Sequence, residues 1–167
     1  DKAMPIVTLF GDGGVFWILV AVALLFFAKY RKTGFSMGMA LILGLLVCNI
    51  FLKPQVARIR PYNFQLQEYG REITLLVKGL NDYSFPSGHT IASFEACTVL
   101  MLHDKRLGIP ATVLAILIAF SRLYLYVHYP TDVLVSVVLG ILFGILGNLI
   151  VNAIYKKFVY KGKYIEE

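Results

Sequence analysis

The sequence has 167 residues, of which 58% are hydrophobic and 16% are charged, with a mean hydropathy of +0.72 and a formal net charge of +6. A soluble domain of this length presents far more polar surface to water, so the composition excludes that class and indicates one membrane domain over residues 1–167. Because most charges lie between long apolar runs, they match lipid headgroups and membrane orientation, and we expect no nucleic-acid partner.

Five apolar runs predict membrane-spanning helices, since a span needs about 20 mostly apolar residues. The runs cover 14–28, 35–52, 86–102, 109–127 and 133–155. The third run is less apolar than the others, because it carries Ser87, His89, Thr90, Ser93 and Glu95. We therefore expect it to be a buried helix that faces a polar site. The predicted fold is an all-α polytopic membrane helix bundle with five spans.

The segment 62–85, between the second and third runs, is long for a connection, which indicates structure of its own. Residues 67–80 mix apolar side chains with acidic and basic ones. This mixture predicts a short helix that lies on the membrane interface.

Basic connections follow the first, third and fifth runs, at 29–32, 103–106 and 156–163. All three lie on one side of the bilayer, because an even number of spans separates them. Short basic loops favour the cytoplasmic side. The connections at 53–85 and 126–132 are then predicted to lie on the extracytoplasmic side of the plasma membrane.

The predicted outer side nevertheless contains basic residues where none are needed for orientation. Lys53, Arg58 and Arg60 lie at a membrane boundary, and Arg122 lies inside the fourth run. A basic residue at the centre of a bilayer costs about 2.5 to 3.5 kcal/mol on insertion scales. We therefore expect an anionic ligand or a wet cavity beside these residues.

Three sequence clusters flank this side: KPQVARIRP at 53–61, PSGH at 86–89 and SRLYLYVHYPTD at 121–132. Each alone has a structural explanation. Lys53 and Arg60 are suited to be interfacial anchors, PSGH is suited to begin a helix, and the histidine and aspartate of the third cluster are suited to fix a turn.

Together the clusters indicate phosphate chemistry, because phosphate oxygens need cationic and neutral donors from several directions. Arginine offers a planar fork and lysine a point charge, while Ser87 and Gly88 begin a helix whose N–H groups attract anions. His128 is followed by Asp132 at a spacing that suits an oriented nucleophile. His89 is placed to act as a general acid. No His, Cys or carboxylate cluster has metal-ligand spacing, so we expect neither a metal nor a cofactor.

The three clusters resemble the signature KxxxxxxRP, PSGH and SRxxxxxHxxxD of the type-2 phosphatidic acid phosphatase superfamily, with every signature position filled. The resemblance implies a membrane lipid phosphatase that acts on a lipid phosphate or a prenyl diphosphate, with long prenyl chains slightly favoured. It implies His128 as the nucleophile that forms a phosphohistidine, Asp132 as its orienting residue and His89 as the acid. It assigns the phosphoryl oxygens to Lys53, Arg60, Ser87, Gly88 and Arg122.

The family usually has six membrane helices, so we expect that a further helix preceded Asp1. Two residues lie outside the signature. For Arg58, an exposed boundary charge is slightly favoured over a part in the anion site. For Glu95, a hydrogen-bonded packing role is favoured, although the sequence also allows it to pair with Arg122 or to influence His89.

Three alternatives remain open at this stage. A lipid phosphotransferase would share the histidine and aspartate but need an acceptor alcohol, and the related vanadium haloperoxidases are soluble. A membrane transporter is the alternative from a different class. Against it, the polar residues collect on one side and do not form a path through the bilayer.

Overall fold

The computed structural model describes residues 2–162, and within that range the chain is helical without any strand. The α-helices are α1 (Ala3–Leu9), α2 (Val15–Leu25), α3 (Arg31–Gly44), α4 (Lys53–Val56), α5 (Pro61–Tyr69), α6 (Gly88–His103), α7 (Lys105–Tyr124) and α8 (Pro130–Gly162). The predicted all-α membrane bundle is therefore confirmed. Of the predicted C-terminal basic connection, Lys163 lies outside the described residues.

The predicted count of five spans is not reproduced. Among the described residues, the segments long and apolar enough to cross a membrane are Ala3–Leu25, Ala28–Tyr69, Lys105–Tyr124 and Pro130–Phe158. The remaining helix, α6, has only 16 residues, about 24 Å at 1.5 Å per residue. It lies at the centre of the bundle against α3, α7 and α8. Because its neighbours shield it from lipid, it can carry polar side chains.

The first apolar segment begins earlier than predicted and is bent. A 3₁₀ turn at Asp12–Gly14 joins α1 to α2, and Gly13 and Gly14 have φ values of 56° and 69°. Those left-handed conformations are easily adopted only by glycine. The bend brings α1 onto α7 and the turn onto α6.

The second segment changes its helical winding near one end. After α3 the chain continues as a π-helix at Leu45–Leu52 and then as α4, which ends at Ala57 with a φ of 47°. A π-helix has more residues per turn than an α-helix and is frequently found at functional sites. This change of winding immediately precedes Lys53.

The predicted interfacial helix is displaced along the chain. Pro61 occupies the first turn of α5, and Gly70, with a φ of 61°, ends that helix. Proline at the start and a left-handed glycine at the end are typical helix boundaries. Residues 71–80, which belong to the predicted helix, are not helical.

The core lies around α6, whereas the outside of the bundle is apolar. Trp17 is 2% exposed and donates its indole N–H to the hydroxyl of Ser93, 3.0 Å away. A Cβ atom at Gly140 would lie 2.7 Å from Cβ of Phe94, so α6 and α8 approach as closely as small residues allow in membrane bundles. Large apolar side chains are exposed on the outer helices, among them Phe26, Ile109, Val113, Leu134 and Leu142.

Candidate active site

The three sequence clusters meet at one end of the bundle, around a cavity of about 500 Å³. Its lining includes Lys53, Arg60, Gly88, His89, Arg122 and His128. Ser87 and Asp132 are fully buried behind this lining. The structure thus brings together all eight residues that the sequence selects as site residues.

His128 is held in the short connection between α7 and α8. The left-handed backbone of Tyr126, with a φ of 57°, ends α7, and Pro130 begins α8 two residues after the histidine. Nδ1 of His128 lies 3.5 Å from Oδ2 of Asp132. Nε2 lies 3.4 Å from Nη1 of Arg60, among the residues that line the cavity.

The carboxylate of Asp132 is fixed from several directions. Its Oδ2 accepts hydrogen bonds from the hydroxyl of Ser84 and, at 3.0 Å, from the backbone N–H of Tyr129. Its Oδ1 accepts a hydrogen bond from Nη1 of Arg58 at 2.7 Å. Because the side chain of Asp132 has no exposed surface, these donors take the place of water.

Arg58, for which the sequence slightly favoured an exposed boundary charge, is partly exposed and also pairs with Asp132. Besides its contact with Asp132, its Nη1 lies 2.7 Å from the hydroxyl of Thr131. Its guanidinium group lies over the ring of Tyr129, 3.8 Å from the ring centre. The one signal in the sequence was its position two residues before Arg60 at the membrane boundary.

The charge state of His128 follows from its surroundings. Burial lowers the pKa of its imidazole to about 4, and the positive charges of Arg60 and Arg122 act in the same direction. The nearby carboxylate of Asp132 opposes them. The ring is therefore neutral near pH 7, which leaves a nitrogen lone pair available for attack.

Lys53 and Arg60 converge on one carboxylate, that of Asp82. Nζ of Lys53 lies 2.6 Å from one carboxylate oxygen, and Nη2 of Arg60 lies 2.5 Å from the other. Burial would raise the pKa of Asp82, but the bonds from Lys53 and Arg60 outweigh it and hold the pKa at about 2. Two cations that share one bidentate anion have the geometry that a phosphate also requires.

Sequence reasoning missed Asp82, which lies in the non-helical segment just before PSGH. Arg60 is itself fixed by backbone oxygens: Nε donates to Asp82 at 2.9 Å and Nη1 to Val127 at 2.8 Å. An acid on the predicted outer side, four residues before the PSGH cluster, was the available signal.

The start of α6 lies where the sequence predicts an anion-binding helix terminus. Ser87 has extended backbone angles and precedes the first helical residue, Gly88. The backbone N–H of Ser87 donates to Ser136 at 2.8 Å, and its hydroxyl accepts from Thr90 at 3.0 Å. The N–H groups of the first helical turn have no partner within the helix and carry the positive end of its dipole.

His89 follows at the second position of α6 and contacts the bend between α1 and α2. Its Nε2 lies 2.6 Å from Oδ1 of Asp12. A Cβ atom at Gly11 would lie only 2.6 Å from Cδ2 of His89, so a side chain there would displace the ring. Asp12 is a second acid that sequence reasoning missed, although it lies in the Gly-rich stretch 11–14 on the predicted outer side.

Arg122 enters the same region from α7 and is 2% exposed. Its Nη1 donates to the hydroxyl of Thr8 in α1. The pairing of Arg122 with Glu95, which the sequence left open, is not observed. The arginine therefore belongs to the cavity lined by His89 and His128.

Within residues 2–162, no group of three or more His, Cys, Asp or Glu side chains is arranged to hold a metal ion. The charge that balances a bound anion would instead come from three side chains of the cavity lining, Lys53, Arg60 and Arg122. Such a set of fixed cations and helix N–H groups can stabilise charge on a transferring phosphoryl group.

The PAP2 superfamily model matches residues 33–156. Among curated proteins, an undecaprenyl-diphosphatase of Sulfolobus acidocaldarius is 35% identical over 74% of this chain and 58% of that protein. Undecaprenyl-diphosphatase BcrC of Bacillus subtilis is 28% identical over 87% of this chain and 72% of its own length. Phosphatidylglycerophosphatase B of the same organism is 36% identical over 75% and 61%. The chain thus spans about three fifths of the first and third of these relatives.

Two solved structures have the same architecture. Aquifex aeolicus LpxE superposes with a TM-score of 0.73 at 28% identity, over 88% of this chain and 84% of that one. A PAP2-type phosphatidylglycerolphosphate phosphatase from Bacillus subtilis superposes with a TM-score of 0.69 at 27% identity, over 94% and 77%.

Proposed function

We propose, since the chain belongs to the PAP2 superfamily, that it is a membrane lipid phosphatase that hydrolyses the terminal phosphate of a lipid phosphate or prenyl diphosphate. The observation that carries the proposal is the convergence of His128, His89 and the three cations on one cavity. The relatives named as phosphatases of lipids and prenyl diphosphates support it.

The first chemical step is attack by His128 on phosphorus. The entering phosphate takes the place of Asp82 between Lys53 and Arg60, and Nε2 of His128 forms a bond to phosphorus while the bond to the leaving oxygen breaks. Positive charge then develops on the imidazole, and Asp132 stabilises it through Nδ1. The 3.5 Å separation of these two atoms is typical of a resting site, in which such contacts tighten only when the substrate is bound.

His89 supplies the proton that the leaving oxygen requires, so its ring must be protonated first, a form that the carboxylate of Asp12 and the negative charge of the bound phosphate both favour. Its Nε2 contacts Asp12 in the resting structure, and this contact orients the ring beside the cavity. After departure of the alcohol, the neutral ring accepts a proton from water as the water attacks the phosphohistidine. Phosphate and free His128 are the products, so the cycle is complete without a metal or cofactor.

The active site is proposed to face the outside of the plasma membrane. The site lies at the start of α6, whereas Asp104, just beyond the other end of that helix, accepts a hydrogen bond from Tyr30 at 3.0 Å. The basic connections at 29–32 and 103–106 therefore meet at the end of the bundle remote from the site. Basic connections favour the cytoplasm, so the site lies on the opposite side.

Labelling of introduced cysteines tests that orientation in intact cells. Tyr69 and Lys105 are exposed at opposite ends of the bundle, while native Cys48 and Cys97 are buried and give little background. A membrane-impermeant maleimide should label Tyr69→Cys in intact cells and Lys105→Cys only after lysis. The reverse pattern would contradict the proposed orientation.

Phosphate release by the purified protein tests the activity itself. In detergent micelles, the protein should release phosphate from at least one of phosphatidic acid, phosphatidylglycerophosphate and a prenyl diphosphate. His128→Ala should abolish release. His103→Ala is the matched control, because this histidine contacts Asn148 at the far end of α6 and should leave the rate unchanged.

The same experiment separates the proposal from its alternatives. A phosphotransferase would give little free phosphate and would transfer the group to an added alcohol. A transporter would release no phosphate from any of these lipids, with or without the His128→Ala substitution.

A further inference from the structure

The cavity extends past the catalytic residues into the bundle, between α2, α3 and α6. Most of this inner part is apolar, with Ile18, Leu41 and Ile91 in its walls. Two polar side chains interrupt it: Asn49 from the π-helix and Glu95 from α6. Neither is used by the hydrolytic mechanism.

Both side chains present a buried oxygen that has no hydrogen-bond partner. These atoms are Oδ1 of Asn49 and Oε1 of Glu95, and Glu95 as a whole is only 1% exposed. Buried polar atoms are nearly always paired, so each unpaired one requires an explanation. Since both residues line a cavity with room for a ligand, a group of the ligand is a direct explanation.

The side chains of Glu95 and Asn49 occupy space that a side chain at Gly44 or Gly88 would otherwise fill. A Cβ atom at Gly44 would lie 2.0 Å from Oε1 of Glu95, a distance at which the carboxyl group could not remain. A Cβ atom at Gly88 would lie 3.1 Å from Oδ1 of Asn49. The close approach of α3 and the π-helix to α6 therefore depends on backbone without side chains at these points.

The two polar groups lie at different distances from the phosphate-binding residues. Asn49 is next to Gly88, at the start of α6, and precedes Lys53 by four residues. Glu95 comes seven residues after Gly88, about 10 Å further along the helix. They therefore follow one another along the path from the catalytic end into the apolar interior.

We propose that Asn49 and Glu95 form a second recognition site, which binds hydroxyl or amide groups on the lipid portion of the substrate. The inference rests on the proposed phosphatase function. A hydroxyl or an amide both donates and accepts hydrogen bonds, so it satisfies the carboxyl oxygen of Glu95 with or without a proton. The site thus selects lipids whose phosphate is attached to a polar backbone, such as glycerol, a sugar or a long-chain amino alcohol that carries an amide.

A hydrocarbon chain in the same place would leave both oxygens unpaired. Sites built to hydrogen-bond a substrate group discriminate strongly against analogues that lack it, because the protein groups are then buried without partners. Water molecules alone could also pair with these oxygens, and in that case the lipid backbone would have no influence on the rate.

Three synthetic alkyl phosphates of equal length separate these possibilities. One is unmodified, one carries a hydroxyl on its second carbon, and one carries an amide as far from the phosphate as Glu95 lies from Gly88. For the native protein, kcat/KM should be about tenfold higher with the hydroxyl probe and with the amide probe than with the unmodified one, the effect of one hydrogen bond.

Substitution of Asn49 and of Glu95 should each remove the preference for one of the two polar probes. Asn49→Leu should remove the preference for the hydroxyl probe and keep that for the amide probe, and Glu95→Leu should do the reverse. Glu95→Gln, which keeps the shape and the hydrogen-bonding ability, should retain most of the amide preference. Ser36→Ala is the control: it removes a buried hydrogen bond to Asn148 from α3, away from the cavity, and both ratios should remain.

The ratio of kcat/KM between two probes, measured on one preparation, does not depend on the fraction of folded protein. Equal kcat/KM values for the three probes in the native protein, or preferences that persist in the Asn49→Leu, Glu95→Leu double variant, would overturn the inference and leave the phosphatase function intact. Failure to release phosphate from any probe or natural lipid would instead contradict the proposed function itself.

Discussion

The two histidines of the cavity have opposite kinds of surroundings. His128 is 4% exposed, and the carboxylate beside it, Asp132, has no exposed surface and is fixed by Arg58 and Ser84. His89 contacts the carboxylate of Asp12, whose side chain is 57% exposed and belongs to a glycine turn. One histidine is enclosed by a fixed network, and the other touches a single exposed acid.

This difference corresponds to the two tasks that we propose. A nucleophile must keep one ring nitrogen directed at phosphorus through the whole cycle, so a rigid buried network favours it. A general acid must exchange its proton with the leaving group and then with water, so contact with solvent favours it. Substitutions in the two environments should therefore have different effects on catalysis.

The largest effect is expected from Asp132→Asn. The amide keeps the shape of the carboxylate but cannot stabilise an imidazolium, and the loss of such an orienting charge costs about 10⁴ in kcat in a serine-protease triad. We expect kcat to fall by about 10³ or more, measured as phosphate release in micelles. Asp104→Asn, at the far end of α6, is the matched control. A loss below tenfold would mean that the buried network does not support catalysis.

His89→Ala should have the next largest effect, and its size should depend on the leaving group. General acid catalysis contributes about 10² to 10⁴ when the leaving group is a poor one. We expect a loss of about 10² or more with an alkyl phosphate and of less than tenfold with p-nitrophenyl phosphate, whose phenolate leaves without a proton. Equal losses on the two substrates would contradict the acid role.

Arg58→Met should have a moderate effect, because it removes one donor to Asp132 and leaves Ser84 and the Tyr129 N–H in place. We expect kcat to decrease about tenfold, with little change in KM, since Arg58 does not line the cavity. Arg58→Lys should restore part of the activity. An increase in KM with constant kcat would instead assign Arg58 to phosphate binding.

The smallest effect is expected from mild acidification, from pH 7 to pH 5. His128 must be neutral to attack, and its pKa is lowered to about 4, so the neutral form persists well below the usual value of 6.5. In the His89→Ala variant with p-nitrophenyl phosphate, where no general acid contributes, and after correction for the titration of the substrate, kcat/KM should change by less than about twofold between pH 7 and pH 5 and fall as pH approaches 4. A decline centred near 6.5 would show that the burial of His128 does not control its charge.

The helices at 86–102, 109–127 and 133–155 could be predicted because long apolar runs have few other solutions in a chain of this composition. That the eight selected residues lie together could be predicted because phosphate chemistry restricts both the residue types and their spacing. Hydropathy could not reveal the π-helix, which does not change the apolar character of its segment, or that the turn at Asp12–Gly14 joins α1 to α2 within one segment.

The carboxylates Asp12 and Asp82, which contact the proposed site residues, were harder to find than those residues themselves. Asp12 and Asp82 lie in non-repeating segments whose path depends on tertiary packing, so sequence spacing does not indicate which cation each meets. The predicted count of five spans differs from the structure at the run 86–102. That run forms α6, whose 16 residues are too few to be counted as a span and which lies among other helices, and hydropathy reveals neither the exact helix ends nor the neighbours.

Identification of the phosphorylated residue tests the division of labour most directly. Purified protein is mixed with a ³²P-labelled lipid phosphate, quenched within one turnover under alkaline conditions that preserve phosphohistidine, and digested for peptide mapping. The label should be found on His128, should be absent from the His128→Ala variant, and should persist in His89→Ala supplied with labelled p-nitrophenyl phosphate. Label on His89, or steady hydrolysis without any phosphoenzyme in the native protein, would contradict the proposed mechanism.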